Sequence, residues 1–155
     1  METTKSLIYT LAGNKIFWIT LCSWLITQTI KVVIGVIREK RFNFRWFVGT
    51  GGMPSSHAAT VSALTTSVGL FFGVDSALFV VTLVFSIIVI FDAQGVRRAT
   101  GKQAEILNRM LDDIYWKHRL QEDRLKELLG HAPIEVLVGI VSGIAFAFLF
   151  WHIFK

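Results

Sequence analysis

Four long apolar runs restrict what this chain can fold into. They cover about residues 16–37, 58–73, 77–91 and 134–154. A helix needs roughly 20 mainly apolar residues to cross a membrane, and a chain with 53% hydrophobic residues is too apolar for an ordinary soluble domain. The second and third runs are short, so the helices they form could be tilted, buried by neighbouring helices or partly re-entrant. We predict one all-α integral membrane domain over residues 1–155, with about four transmembrane helices.

The charged residues predict the orientation of these helices. The connections at residues 38–56 and 93–132 carry four and eight of the 16 Lys and Arg residues, and a hairpin of the second and third helices places both on one face. The positive-inside rule then puts both connections in the cytoplasm and both termini outside. Because topology and anionic lipid account for the positive charge, the pI of about 9.7 does not indicate a nucleic-acid partner.

A further helical pattern lies outside the apolar runs, at about residues 101–129. Apolar residues recur there at three- and four-residue steps from Ile106 to Tyr115, opposite charged residues, which is typical of an amphipathic helix. We expect a separate cytoplasmic helix that lies on the membrane surface or packs on the core, before Pro133 begins the last membrane helix. The N-terminus lacks the pattern of a cleaved signal peptide, and packing is the expected role of the single cysteine, Cys22.

The segment GGMPSSH, from Gly51 to His57, brings phosphate-binding features to the start of the second helix. Pro is favoured in the first turn of a helix, where free N–H groups and the helix dipole attract phosphate. Gly52 lets the backbone approach an anion. Ser55, Ser56 and His57 would lie in or beside this turn, and the histidine titrates near neutrality. The alternative is an ordinary turn that Ser caps, with a histidine at the membrane surface.

Lys31 is a charged residue inside the first apolar run. A charge in hydrocarbon is costly, so such a residue usually faces a polar site. Lys31 and Arg38 are seven residues apart, or two helical turns, and therefore share a helix face. Snorkelling is the alternative for Lys31, and a surface charge that sets topology is the alternative for Arg38.

His131 and Glu135 are four residues apart where the last helix begins, so their side chains can meet on one face. A carboxylate bonded to one ring nitrogen leaves the other nitrogen as a base or nucleophile. The alternative is a capping glutamate beside a surface histidine. A metal site that adds His57 and Asp92 to this pair is weaker, because no HExxH or paired-Cys spacing appears. We predict no metal and no cofactor.

Arg97 and Arg98 follow the third apolar run, after Asp92. Arginine side chains match phosphate oxygens bidentately, and Gly95 would let the backbone turn tightly beside them. Positive-inside anchoring is the competing explanation for either arginine.

Together these motifs resemble the type 2 phosphatidic acid phosphatase superfamily, which also includes vanadium haloperoxidases. The first block of that superfamily is a Lys followed seven residues later by Arg-Pro. Lys31 and Arg38 have this spacing, with Glu39 in place of the Pro. The second block, Pro-Ser-Gly-His, resembles residues 54–57, where Ser56 replaces the Gly.

The third block is Ser-Arg with a downstream His and Asp four residues apart. His131 and Glu135 match its end, with Glu for Asp, whereas Leu125 stands where the Arg is expected. Three arginines are candidates to supply that charge: Arg97, Arg98 and Arg124. The strings SWLITQTIKV, GGMPSSHAA, FDAQGVRRATGKQAEILN and LLGHAPIEVLVG are similar to a small divergent branch of the superfamily, along nearly the whole chain.

The resemblance implies metal-independent hydrolysis of a phosphomonoester through a phosphohistidine. His131 would attack phosphorus, Glu135 would orient it, and His57 would protonate the leaving alkoxide. The remaining candidates would bind phosphate (Lys31, Arg38, Ser55, Ser56, Arg97 and Arg98) or support the site (Gly52, Asp92 and Arg124).

The predicted orientation favours a substrate from the inner leaflet, either phosphatidylglycerophosphate or phosphatidic acid, with its acyl chains remaining in the bilayer. One alternative is an undecaprenyl diphosphate phosphatase, which would more naturally need an outward-facing site. Another is a non-catalytic lipid-phosphate carrier. The expected partners are therefore the membrane and a phospholipid or polyprenyl phosphate. Gly139 and Gly143 form a small-xxx-small pair that suits helix packing within the bundle or between subunits. The sequence therefore allows a homo-oligomer.

Overall fold

The described part of the chain is built from helices. The computed structural model describes residues 10–40, 52–115 and 132–154, with the backbone alone at 38–39, 95–102, 104, 109 and 111–115. The principal helices are α1 (Lys15–Glu39), α2 (Ser56–Phe72), α3 (Ala77–Tyr115) and α4 (Pro133–Phe154). The all-α fold class is confirmed.

Three helices of the described residues are long and apolar enough to cross a membrane, with spans at Lys15–Ile37, Ala77–Gln94 and Pro133–Phe154. Their outer faces carry many exposed apolar side chains, such as Phe91 and Ile153, which hydrocarbon would cover. The chain is a multi-pass membrane protein. The remaining helix, α2, has 17 residues and packs against the other three, so the expectation of about four membrane helices is compatible with this arrangement.

Small residues let α4 approach α2 closely. A methyl group on Gly139 would come within 2.5 Å of the Ser55 carbonyl oxygen, and one on Gly143 would overlap the Ala59 carbonyl. Both glycines are buried, and Ala147 continues their four-residue spacing within the core. The small-xxx-small pair therefore packs inside the bundle.

Hydroxyl groups join α2 to α3 inside the bundle. The Thr65 and Ser86 oxygens lie 2.6 Å apart, and Ser86 also donates to the Val61 carbonyl at 3.0 Å. Thr65 and Ser86 are buried, so these bonds satisfy polar groups that water cannot reach. These hydrogen bonds fix the axial position of α3 relative to α2.

The helix α3 continues well past its membrane span. It runs unbroken to Tyr115, which differs from the expected turn at Gly95 and from the expected separate helix over 101–129. A glycine inside a helix costs only about 1 kcal/mol, and the Ala, Arg, Gln, Glu and Leu residues that follow favour continuation. At a rise of about 1.5 Å per residue, the part beyond Gln94 extends for roughly 30 Å. The rest of the expected surface helix lies outside the described residues.

Candidate functional site

The turn before α2 is shaped by one glycine and one serine. Gly52 has a φ of 84°, a conformation that residues with a Cβ rarely adopt. Ser55 is the N-cap, and its Oγ accepts a hydrogen bond from the Ala58 N–H at 3.4 Å. The first N–H groups of a helix lack intrahelical acceptors, so the positive end of the α2 dipole lies at this turn.

Ser55 also ties this turn to the start of α4. Its backbone N–H donates to the Glu135 carbonyl oxygen at 3.0 Å, and its side chain is fully buried. Because this N–H is engaged within the protein, it would not reach a phosphate. The Ser55 N–H is therefore not one of the free N–H groups expected to attract phosphate at this turn, and Ser55 instead holds the turn in place.

The Glu135 side chain caps α4. Its Oε2 accepts a hydrogen bond from the Ala132 N–H at 3.2 Å, as the third helical residue does in a capping box. One carboxylate oxygen of Glu135 therefore acts as a helix cap, which is the alternative interpretation given above for this residue. The predicted partner, His131, lies outside the described residues, so the His131–Glu135 pair stays a prediction.

Lys31 reaches the same turn from α1. Its side chain is only 8% exposed, and its Nζ donates to the Ser56 Oγ at 3.3 Å. The Lys31 stem passes close to Gly52, where an added methyl group would lie 3.6 Å from Cγ. The ammonium group is therefore held inside the protein at the first turn of α2, as expected for a lysine that faces a polar site.

The chain matches a known family along most of its length: the sequence profile of the divergent PAP2 family covers residues 12–146. The chain belongs to the divergent PAP2 family. It is 39% identical over 146 residues to the uncharacterized membrane protein YuiD of Bacillus subtilis (strain 168), which corresponds to 87% of this chain and 92% of that protein. No solved structure matches it. The resemblance drawn from the sequence blocks is thus confirmed at the level of family.

Two of the sequence blocks meet in this divergent PAP2 protein. Lys31 belongs to the first block, and Ser56 is the residue that replaces the superfamily's glycine in the second. The hydroxyl group that this replacement introduces is the one that contacts the lysine. The departure from the superfamily pattern therefore adds a hydrogen bond between α1 and α2.

His57 lies in the first turn of α2 and is half-buried. Together with Ser56 and Thr60 it lines a cavity of about 440 Å³. The remaining lining is apolar and comes from Trp24, Val61, Leu64, Phe85 and Val89. Sequence reasoning missed these residues because apolar side chains in a membrane helix look alike. The available signal was the three- and four-residue spacing from His57 to Leu64, which places them on one face of α2.

The other predicted site residues are located less completely. Asp92 is exposed on α3. The arginines Arg38, Arg97 and Arg98 lie on α1 and α3 with the backbone alone described, and Arg124 lies outside the described residues. Within the described ranges, no group of three or more His, Cys, Asp or Glu side chains is placed to hold a metal ion.

Proposed function

We propose that this protein is a membrane lipid phosphate phosphatase that hydrolyses a phosphomonoester through a phosphohistidine. Its proposed substrate is phosphatidylglycerophosphate or phosphatidic acid. Membership of the divergent PAP2 family supports a PAP2-related membrane protein. The observation that carries the proposal is the contact of the Lys31 ammonium with Ser56 at the start of α2, since a buried cation and a helix N-terminus at one point suit a phosphate dianion.

In the first step, Lys31 neutralises charge on the phosphate oxygens, together with Arg38 and an arginine of the Arg97–Arg98 pair. His131 attacks phosphorus, so that a P–N bond forms and the ester P–O bond breaks. His57 gives its proton to the leaving alkoxide, which departs as the lipid alcohol.

In the second step, water attacks the phosphohistidine. The now neutral His57 accepts a proton from this water, the P–N bond breaks, and inorganic phosphate leaves with His131 restored. Glu135 would orient His131 for both steps. The proposed active site faces the cytoplasm, because the connections beside it carry most of the Lys and Arg residues.

Phosphate release from a panel of lipids tests this proposal. Purified protein in mixed micelles is given phosphatidic acid, phosphatidylglycerophosphate or undecaprenyl diphosphate. Wild-type protein and His152→Ala, an exposed histidine at the far end of α4, are expected to release phosphate from a glycerolipid. His131→Ala is expected to release none and to form no acid-labile phosphoprotein.

The other outcomes separate the alternatives. Release that persists in His131→Ala would contradict the phosphohistidine. Release from undecaprenyl diphosphate alone would favour the polyprenyl enzyme. Saturable binding of phosphatidic acid with no release from any lipid would favour a carrier.

A further inference from the structure

A groove leads from the proposed phosphate site to the lipid-facing surface. Ser56 and His57 line its end at the start of α2, and Leu64 lies about 10 Å further along the same helix. The groove walls include Trp24 and Phe85, which are 39% and 51% exposed. Exposed apolar side chains on membrane-spanning helices face hydrocarbon. The groove therefore opens sideways into the bilayer.

The two ends of this groove differ in chemistry. At the start of α2, the Lys31 ammonium contacts Ser56, which favours an anionic group. Along α2 and α3, the walls are formed by Val61, Leu64 and Val89, which favour hydrocarbon. A volume of about 440 Å³ lies in the range of pockets that take small ligands. The complementary ligand is an amphiphile with an anionic head and an apolar tail.

We infer that the groove holds one hydrocarbon tail of a lipid phosphate whose headgroup lies at Lys31 and the first turn of α2. The tail is thereby taken out of the bulk bilayer and aligned along α2, which fixes the headgroup against His57. Tail binding rests on the proposed function for its headgroup chemistry, but it does not require that the phosphate be hydrolysed.

A matched pair of substitutions on α3 tests the groove. Val89→Trp fills it, whereas Ile88→Trp adds the same bulk to a neighbouring residue that is 62% exposed and does not line it. With dipalmitoyl phosphatidic acid, Val89→Trp is expected to lower kcat/KM by about tenfold or more, because the tail loses a shaped apolar pocket. Ile88→Trp is expected to match wild type.

The same variants are compared on dihexanoyl phosphatidic acid, whose short tails leave most of the groove empty. Val89→Trp is expected to change this activity little. An equal loss on the long and short substrates, or no loss on either, would overturn the inference.

Photo-crosslinking gives a readout that needs no turnover and no substitution in the groove. A phosphatidic acid with a diazirine near the end of one tail is irradiated with wild-type protein and with His131→Ala. Adducts are expected at residues 61–64 and 85–89, and unlabelled phosphatidic acid should compete with them while phosphatidylcholine should not. Adducts confined to outward-facing residues such as Val81, or unaffected by competition, would overturn the inference.

The two proposals fail in different ways. Groove adducts without phosphate release from any lipid would overturn the proposed hydrolysis and leave the tail site standing. Phosphate release that depends on His131, with no groove adducts, would overturn the tail site and leave the hydrolysis standing.

Discussion

The Lys31 Nζ donates a hydrogen bond to the Ser56 Oγ across 3.3 Å and links the second half of α1 to the first turn of α2. The two residues are 25 positions apart in the sequence, and each belongs to a different block of the family pattern. Their contact places a cation at the positive end of a helix dipole. The ammonium group and the helix N-terminus both favour an anion at this point.

Removal of the Lys31 charge is expected to weaken catalysis. Lys31→Met keeps an unbranched side chain, one heavy atom shorter, but loses the cation that would stabilise phosphate charge, so kcat/KM for phosphatidic acid should fall by about 100-fold or more. Lys15→Met removes an exposed lysine at the other end of α1 and should retain wild-type activity. A folded Lys31→Met protein with wild-type kcat/KM would contradict the assigned role.

Loss of the Ser56 hydroxyl is expected to lower stability. Ser56→Ala removes the bond to a charged donor, which should reduce the free energy of unfolding by about 1.5–3 kcal/mol. Ser142→Ala is the control, because that hydroxyl donates only to the Val138 carbonyl of its own helix among the contacts described, and its effect should be small. Thermal unfolding in detergent measures both. In a Lys31→Met background the effect of Ser56→Ala should largely vanish, and an unchanged effect would show that the bond is not its source.

The contact of α4 with α2 should not tolerate a side chain at Gly143. A Cβ there would overlap the Ala59 carbonyl, which is backbone and cannot rotate away. Gly143→Val is therefore expected to destabilise the protein by about 1–3 kcal/mol or to prevent its folding. Ala145→Val, on the exposed face of α4, should unfold at nearly the wild-type temperature. Equal unfolding temperatures for the two variants would contradict the close approach of the helices.

Cysteine labelling tests the orientation. In a Cys22→Ala background, Asp75→Cys places a thiol in the exposed turn between α2 and α3, which the positive-inside rule puts outside the cell. A membrane-impermeant maleimide should label it in intact cells. Arg45→Cys, in the basic connection after α1, should react only after the cells are permeabilised. The reverse pattern would place the proposed site on the outer face.

Some features of the site follow from local sequence. The i, i+7 spacing of Lys31 and Arg38 and the Pro-Ser-Ser-His turn predict chemistry at the end of α1 and the start of α2. The hydrogen bond by which the Ser55 N–H ties this turn to α4 could not be predicted from local sequence. Its acceptor, the Glu135 carbonyl, lies 80 positions further along the chain, and no spacing rule connects residues that meet only through packing.

The sequence by itself determined that this protein is a helical membrane protein of the divergent PAP2 family, and it predicted a phosphate site at Lys31 and the turn before α2. Hydropathy and motif spacing suffice for this, because bilayer thickness and helix pitch act on contiguous residues. Only the tertiary structure decided that Gly143 packs against Ala59, that α3 continues to Tyr115, and that a groove opens beside His57. These features depend on how closely separate helices approach, which is set by side-chain volumes at contacts distant in sequence.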